Sequence, residues 1–285
     1  MFRTKPKSTF YKSHPLSLLI KILVWAAIFI TAFVLLFIIA YIFVKGIRHF
    51  SLDFFSLHYN SENVSVLPSI ITTIYMIFIS LLASLPFGIG CAIYLTEYAK
   101  ETRFVKYIRV TTETLSGIPS IVYGLFGMLF FVTYLKWGFS ILAGSFTLSI
   151  MILPLIIRSA EEAIIAVPDT FREASFGLGA GKLRTIFKIV LPSAMPGIFA
   201  GIILAIGRIV GESAALIYTA GTVAKIPVSG MDSARTLSVH MYALSSEGLN
   251  TDKAYATAVV LVALVILINL LATTITKKVG NKQYE

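Results

Sequence analysis

Charged residues are scarce in this chain. They make up 13% of its 285 residues, whereas 57% are hydrophobic, and an average soluble domain carries about 25% charged residues. The charges that remain are grouped in short stretches between long uncharged runs, and runs of about 20 apolar residues are long enough to cross a bilayer. The shortage of charge therefore excludes an ordinary soluble domain and predicts an all-α membrane protein, a bundle of several helices.

Cysteine is almost absent as well. Cys91 is the only one, and it lies inside an apolar run, which excludes an intrachain disulfide and a metal cluster built from cysteines. The four histidines are scattered along the chain and are His14, His49, His58 and His240. The sequence accordingly predicts no metal site.

Acidic residues are outnumbered by basic ones, and the net charge is +10. In a soluble protein, such a balance would indicate nucleic acid as a partner. Membrane proteins keep Lys and Arg in their cytoplasmic loops, and that bias alone produces a basic balance. We therefore expect the chain to be surrounded by membrane lipid and to have no nucleic-acid partner.

Six apolar runs are long enough to span a bilayer as helices. They are Ile22–Val44, Ile70–Leu95, Thr114–Leu135, Trp137–Ile157, Met195–Gly221 and Ala254–Thr276. Each can cross roughly 30 Å of hydrocarbon at about 1.5 Å per residue. The first run exceeds the apolar core of a signal peptide, which is about 7–15 residues long, and no small-residue cleavage site follows it, so we interpret it as a retained span.

Basic residues are distributed unevenly among the segments that join these spans. With the N-terminus inside, the cytoplasmic segments are 1–21, 97–109, 158–192 and 277–285. They hold 17 of the 24 Lys and Arg residues, and the opposite side holds 6. The positive-inside rule therefore favours cytoplasmic N- and C-termini (N-in/C-in), which six spans also require.

Two glycine pairs in the fifth span, Gly197/Gly201 and Gly207/Gly211, have small-xxx-small spacing. This spacing permits helices to approach closely in a membrane. It predicts a packed bundle and carries no information about a substrate.

The cytoplasmic segment 167–192 has more pattern than a plain connector. Asp169 can cap a short helix by accepting from free backbone N–H groups, and the glycines at 177, 179 and 181 can end that helix. One face of this helix comprises Phe171, Ala174, Ser175 and Leu178. An interfacial helix with an apolar stripe then follows, its stripe formed by Leu183, Ile186, Phe187 and Val190. Periodicity alone leaves open an ordinary interfacial loop or a surface that docks a soluble partner.

The same loop contains residues at fixed spacing. From Glu173 to Pro192 it reads E-A-S-x3-G-x9-I-x-L-P. It resembles the EAA loop, E-A-A-x3-G-x9-I-x-L-P, of the permease subunits of ATP-binding-cassette (ABC) importers. Ser175 stands where the pattern has alanine, and the matching positions are Glu173, Ala174, Gly179, Ile189, Leu191 and Pro192. The resemblance implies the type I ABC importer permease fold.

In that family the short helix sits in a cleft of the ATP-binding subunit and transmits its closure. The resemblance therefore implies a coupling surface formed by Glu173, Ala174, Ser175, Gly179 and Pro192. It also implies a non-catalytic chain that binds no cofactor, with ATP and Mg²⁺ used by a partner ATPase.

The chain has no complete phosphate loop of its own. A Walker A pattern ending at Gly181-Lys182 requires glycine at position 176 and Ser or Thr at position 183. The chain has Phe176 and Leu183 there. If ATP drives transport, the motor must be a separate subunit.

Arg208 and Glu212 lie inside the fifth predicted span, where ionisable residues are costly and often functional. Four residues apart, they share one face of a helix and can form an ion pair. One interpretation is a neutralised pair that only orders the bundle. The other is an anion site, because Arg presents a fork of donors that matches an oxyanion. Glu212 could also accept a hydrogen bond from a protonated oxyanion such as hydrogen phosphate, which would disfavour sulfate.

The third predicted span is interrupted by Gly117 and Pro119. These residues can open the helix or only kink it. If the helix opens, the hydroxyls of Ser116 and Ser120 become available to a solute.

These segments together resemble the phosphate-specific ABC importer permeases of the PstA type. The resemblance runs from about Leu67 to the C-terminus and is carried by Ser116–Gly124, Gly207–Ser213 and the EAA loop. It implies a substrate path formed by Arg208, Glu212, Ser213, Ser116 and Ser120. It also implies three regions: residues 1–66 with the first span and an outer loop, a permease core over 67–278, and a cytoplasmic tail over 279–285.

The family further implies partners and a location. The partners are a PstC-type permease, a PstB-type ATPase dimer and a PstS-type phosphate-binding protein, and the location is the bacterial cytoplasmic (inner) membrane. A permease for sulfate, molybdate or phosphonate remains an alternative. A secondary transporter would be favoured by inverted repeats, which the sequence does not display, and the spans lack the clustered His, Asp or Cys of a membrane-embedded enzyme.

Overall fold

The structure is a computed structural model that describes residues 15–99, 102–248 and 250–281. Within these ranges the regular structure is helical, with no strand. The helices are α1 (Pro15–Ile47), α2 (Leu67–Ile93), α3 (Arg103–Ser116), α4 (Ser120–Gly127), α5 (Ile141–Ile165), α6 (Asp169–Gly177), α7 (Lys182–Thr185), α8 (Leu191–Gly211), α9 (Ala214–Ile217), α10 (Leu237–Glu247) and α11 (Thr251–Asn281). Tyr94–Tyr98, Met128–Tyr134 and Ile186–Val190 are π-helical, and Asp53–Phe55 is a 3₁₀ turn.

Among the described residues, five helices are long and apolar enough to cross a membrane, and a sixth span is formed if one bent pair counts as a single crossing. The prediction of an all-α protein with six spans is therefore confirmed at the level of its helices. The fourth span is displaced from its predicted bounds, because α5 runs from Ile141 to Ile165 and continues past Arg158. The predicted span ends at Ile157 because Arg158 is charged, but a helix can extend beyond the bilayer.

The bent pair is the third predicted span. α3 ends at Ser116 and α4 starts at Ser120, and the two helices meet at 99°. Proline has no backbone N–H and restricts the residue before it to extended conformations, and Pro119 accordingly precedes α4 with ψ at 141°. The opened helix is therefore observed in place of a simple kink.

The fifth predicted span differs at both ends. Helix starts at Lys182, runs through the π-helical segment and continues to Gly211, so the predicted interfacial helix is the first part of the span itself. Its apolar stripe is divided, with Ile186 and Val190 buried and Leu183 and Phe187 exposed. The far end stops at Gly211 and not at Gly221.

The core is centred on α5, which packs against both α2 and α8. Hydroxyl groups connect α2 and α5: Ser80 donates to the Ser145 carbonyl at 3.1 Å, and Ser149 donates to the Ser80 carbonyl at 3.1 Å. Such bonds between small polar residues stabilise helix pairs in membranes. α5 therefore provides a fixed frame on which the other spans are placed.

Close approach to α8 is made possible by one of the two glycine pairs. A Cβ atom on Gly197 would lie 2.7 Å from the Ala163 Cβ, and one on Gly201 would lie 2.4 Å from the Ser159 Cβ. Gly207 and Gly211 face open space instead, with no described atom within 4 Å of such a Cβ. The first pair thus packs the bundle, and the second lies on an uncovered surface beside Arg208.

Helix α1 lies outside this bundle and contacts α11. Gly46 provides the contact, because a Cβ there would lie 2.5 Å from the carbonyl oxygen of Tyr255. Almost all of the remaining surface of α1 is uncovered and apolar, as a helix surrounded by lipid requires.

Candidate functional site: two facing helix breaks and a cytoplasmic coupling loop

Two interruptions of membrane helices lie next to each other. The first separates α3 from α4 at residues 117–119, and the second separates α8 from α9 at residues 212–213. Gly124 of α4 packs directly on Ala215 of α9, since a Cβ on Gly124 would lie 2.7 Å from the Ala215 Cα. This backbone contact, which only glycine permits, brings the two interruptions together.

The first break is stabilised from within. The Tyr123 hydroxyl donates to the Leu115 carbonyl at 2.8 Å and so connects the two halves of the bent pair. Ser116 is exposed, and its hydroxyl donates back to the Thr112 carbonyl at 3.1 Å. Ser120 is half-buried at the first turn of α4, and its hydroxyl makes no hydrogen bond with a described residue. Backbone N–H groups at such a helix start favour anions.

The second break is formed around Glu212. Its backbone is extended (φ −75°, ψ 129°), and its buried carboxylate accepts from the Ala215 N–H at 3.0 Å. The Ser238 hydroxyl donates to the Glu212 carbonyl oxygen. Glu212 therefore caps the short α9 helix, with the half-buried Ser213 beside it.

The predicted ion pair between Arg208 and Glu212 is not observed. That pairing required one continuous helix, but α8 ends at Gly211, so the two side chains do not share a helix face. Arg208 is half-buried and makes no hydrogen bond or ion pair with another described residue. Its charge interacts with the Tyr123 hydroxyl, which bonds to Leu115 across the first break.

The segments around the two breaks thus carry an unpaired guanidinium, a helix start, two serines and a capped carboxylate. A guanidinium binds oxyanions through parallel N–H donors. Broken helices whose free ends face a solute are a recurring way to build transport sites in membranes. The arrangement can hold a small oxyanion on a surface that neighbouring helices of this chain leave open.

The segment 167–192, which contains the EAA loop, is the second candidate region. Helix α6 ends at a C-terminal turn in which Gly179 has φ +80° and the Ala180 N–H donates to the Ser175 carbonyl at 3.1 Å. Glycine adopts this left-handed conformation without strain, which gives Gly179 of the EAA pattern a structural reason. Glu173, Ala174 and Gly179 are all exposed, whereas Pro192 is half-buried at the start of α8.

Ser175, which replaces the alanine of the pattern, is buried. Its hydroxyl lies 2.8 Å from the Thr185 hydroxyl, so the two groups form a hydrogen bond between α6 and α7. Ser175 therefore faces the interior of the loop and does not contribute directly to its exposed surface. Its effect on docking would pass through the position of α6.

Apolar side chains cover the outside of this loop. Phe171 and Phe176 are about half exposed, and Leu178 is 90% exposed. Large exposed apolar groups together are unusual on a surface that binds nothing. The observation favours a docking surface over an ordinary interfacial loop.

Asp169 does not cap the backbone as predicted. It is the first residue of α6, the capping position is held by Pro168, and the carboxylate accepts from Arg172 Nη1 at 3.1 Å. A nearby guanidinium competes with backbone N–H groups for a carboxylate because the charged hydrogen bond is stronger.

Sequence reasoning missed Arg172. Its Nε and Nη2 atoms donate to Glu97 Oε1 at 3.0 and 2.8 Å, and its Nη groups donate to the carbonyls of Val167 at 2.8 Å and Ile164 at 3.0 Å. No short-range pattern relates residues 97 and 172. The only available signal was that both charges lie in segments predicted to be cytoplasmic.

The segment 222–253, which joins the fifth and sixth predicted spans on the outer side, also contains a helix that was not predicted. Helix α10 lies within it, and Arg235 and His240 are buried there. The Arg235 guanidinium lies over the Tyr59 ring at 4.7 Å, and the His240 ring meets the same ring edge-on at 6.0 Å. Burial, together with the Arg235 charge, lowers the pKa of His240 to about 3. His240 is therefore neutral at physiological pH.

Two permease proteins are similar in sequence to this chain over most of its length. It is 34% identical over 261 residues to the probable ABC transporter permease protein YqgI of Bacillus subtilis (strain 168), covering 85% of this chain and 89% of the relative. It is 33% identical over 259 residues to the phosphate transport system permease protein PstA of Pasteurella multocida (strain Pm70), covering 86% and 89%.

A solved structure shares the fold. A chain of a bacterial alginate ABC transporter, in complex with an alginate pentasaccharide-bound periplasmic protein, superposes with a TM-score of 0.68 at 16% identity and covers 94% of this chain and 97% of that chain. The type I ABC importer permease fold predicted from the EAA loop is therefore confirmed. The family model described as binding-protein-dependent transport system inner membrane component matches residues 84–282. This chain belongs to that family.

Proposed function

We propose that this chain is the transmembrane permease subunit of an ATP-driven importer of inorganic phosphate and forms half of the translocation pathway. The observation that carries the proposal is the unpaired guanidinium of Arg208 beside two facing helix breaks. The likeness to a phosphate transport system permease over 86% of the chain supports it. Family membership disfavours a secondary transporter.

The substrate path comprises Arg208, Glu212, Ser213, Ser116 and Ser120. Arg208 supplies the positive charge, and the first turn of α4 supplies backbone donors near Ser120. Glu212 uses one carboxylate oxygen to cap α9. Its other oxygen can accept a hydrogen bond from a protonated oxyanion, which hydrogen phosphate provides and sulfate does not at neutral pH.

Energy enters from a separate subunit. Glu173, Ala174 and Gly179 form the exposed part of the coupling surface, Phe171 and Leu178 add apolar area, and Ser175 and Pro192 hold it in position. A PstB-type ATPase dimer docks there and uses ATP and Mg²⁺, while this chain binds no cofactor and has no catalytic role.

The remaining partners complete the pathway. A PstC-type permease covers the open surface near Gly207 and Gly211, and a PstS-type protein delivers phosphate. The bacterial inner membrane holds the complex. The description of the family as binding-protein-dependent supports a separate receptor.

The site is tested with Arg208→Ala in the assembled transporter. Loss of the guanidinium should lower the initial rate of labelled phosphate uptake at least about 100-fold, which is the loss expected when a charged hydrogen-bonding group of about 3 kcal/mol is removed. The matched control is Arg158→Ala, which removes an exposed arginine of α5 that pairs with Glu162 at 3.1 Å. Equal uptake by the two variants would contradict the assignment.

Selectivity separates phosphate from other oxyanions. Glu212→Gln keeps an oxygen that can cap Ala215 but replaces the free acceptor with a donor. We expect this variant to lose preference for phosphate, so that sulfate competes with phosphate uptake. A wild-type transporter that imports sulfate or molybdate in preference to phosphate would establish the alternative substrate instead.

A further inference from the structure

Arg172 connects α6, the coupling helix of the EAA loop, to the membrane spans. The Arg172 side chain is only 16% exposed and that of Glu97 only 9%. The Nε and Nη2 atoms of Arg172 donate to one carboxylate oxygen of Glu97, at 3.0 and 2.8 Å. This is an interior ion pair and differs from exposed pairs, which hold little energy because water screens them.

Its acceptors belong to different elements. Glu97 lies in the π-helical end of α2, Ile164 lies in the last turn of α5, and Val167 follows α5 directly. The Arg172 guanidinium donates to all three, and also to Asp169 of its own helix. One side chain of α6 is thus bonded to the ends of the two helices that form the core.

The opposite side of α6 has its own attachment. Ser175 is bonded to Thr185 of α7, and α7 leads through the π-helical segment into α8. In addition to residues 166–168, which join α5 to α6, a displacement of α6 therefore has two side-chain routes into the membrane. One passes through Thr185 to α8, and the other passes through Arg172 to α2 and α5.

We propose that Arg172 and Glu97 are positioning residues that transmit displacement of the coupling helix to α2 and α5. The inference rests on the proposed function, because it assumes that an ATPase moves α6. When that subunit closes, α6 carries Arg172 with it. The guanidinium then moves the ends of α2 and α5 together, while Ser175 moves α8. Without this link α2 would not follow, and α5 would follow only through the linker 166–168, so hydrolysis would proceed without complete opening of the pathway.

The geometry requires arginine. Its planar fork satisfies a carboxylate and two carbonyls at once, whereas the lysine ammonium is a point charge on a flexible stem. Arg172→Lys should keep a bond to Glu97 but lose the carbonyl contacts. Glu97→Gln should keep the shape and lose the charge. Both are milder changes than Arg172→Ala and allow the complex to assemble.

The experiment measures phosphate imported per ATP hydrolysed by the complete transporter in proteoliposomes. Arg172→Lys, Arg172→Ala and Glu97→Gln should each lower this ratio about tenfold, within the range of couplings between distant sites, while ATP hydrolysis continues. The control is Arg158→Ala, which removes an arginine–glutamate pair confined to one exposed helix face. It should leave the ratio unchanged.

A double variant tests whether the two residues act as one unit. Because Arg172→Ala already removes every bond of the link, combining it with Glu97→Gln should lower the ratio no further than Arg172→Ala alone. Independent structural effects would multiply instead.

Two results overturn the inference. One is a wild-type ratio in Arg172→Lys and Glu97→Gln, and the other is an equal fall in uptake and hydrolysis, which leaves the ratio unchanged. Absence of phosphate uptake by the wild type and the Arg158→Ala control would instead overturn the proposed function, and the inference with it.

Discussion

Gly124→Ala offers a sharp test of the contact that brings the two helix breaks together. The added Cβ would lie 2.7 Å from the Ala215 Cα, 3.3 Å from the Ala215 carbonyl oxygen and 3.4 Å from that of Ala214. Carbon atoms in contact normally lie about 3.5–4.0 Å apart, so α4 and α9 must separate by about 1 Å. The neighbouring atoms belong to the backbone and cannot rotate away.

The cost follows from overpacking. Inserting a methyl group into a close-packed contact destabilises a protein by about 1–3 kcal/mol. We expect the melting temperature of the purified chain to fall by several degrees. Phosphate uptake should fall at least about tenfold, because the first break moves away from the second while the membrane helices remain in place.

The matched control is Gly90→Ala in α2. A Cβ there has no described atom within 4 Å, and replacing glycine by alanine inside a helix stabilises it by roughly 0.5–1 kcal/mol. This variant should melt no lower than the wild type and transport normally. If Gly124→Ala matches it in both assays, the two helix breaks are not held together as described.

Two further predictions concern single side chains. Ser175→Ala restores the residue of the EAA pattern but removes the hydrogen bond with Thr185. The free energy of unfolding, measured by chemical denaturation, should therefore fall by about 1 kcal/mol. Unchanged stability would argue against that bond. The pKa of His240 is about 3 in the folded chain and about 6.5 in the unfolded chain. Between these pH values the unfolded chain binds a proton that the folded chain does not. The free energy of unfolding therefore decreases as pH falls. The loss should be about 1 kcal/mol per pH unit below pH 6.5 in thermal melts. It should disappear in His240→Asn and persist in the matched variant of the exposed His58.

The sequence predicts features that backbone chemistry sets locally. Long apolar runs indicate the spans because a helix satisfies all of its backbone hydrogen bonds within one segment in lipid. Gly117 and Pro119 predict an interruption of the helix, either an opening or a kink, because neither suits a helix interior. Fixed spacing in the EAA loop predicts the fold through family resemblance.

Features set by distant contacts could not be predicted. Hydropathy remains high from Met195 to Gly221, yet α8 ends at Gly211. The Ser238 hydroxyl, 26 residues further along the chain, stabilises the extended conformation of Glu212, and this contact is not visible in the local sequence. The Arg172–Glu97 pair could not be predicted either, because its members are 75 residues apart in the sequence. Helix α10 was missed because it lies in a segment interpreted as an outer loop.

The central claim is that this permease carries phosphate with energy from a separate ATPase. The most direct measurement is the initial rate of labelled phosphate uptake in cells that lack only this chain, with and without its gene restored, combined with purification of the chain and its bound subunits. We predict that restoring the chain restores ATP-dependent uptake and that an ATPase subunit co-purifies with it. Identical uptake in both cells, with no ATPase bound, would contradict the account.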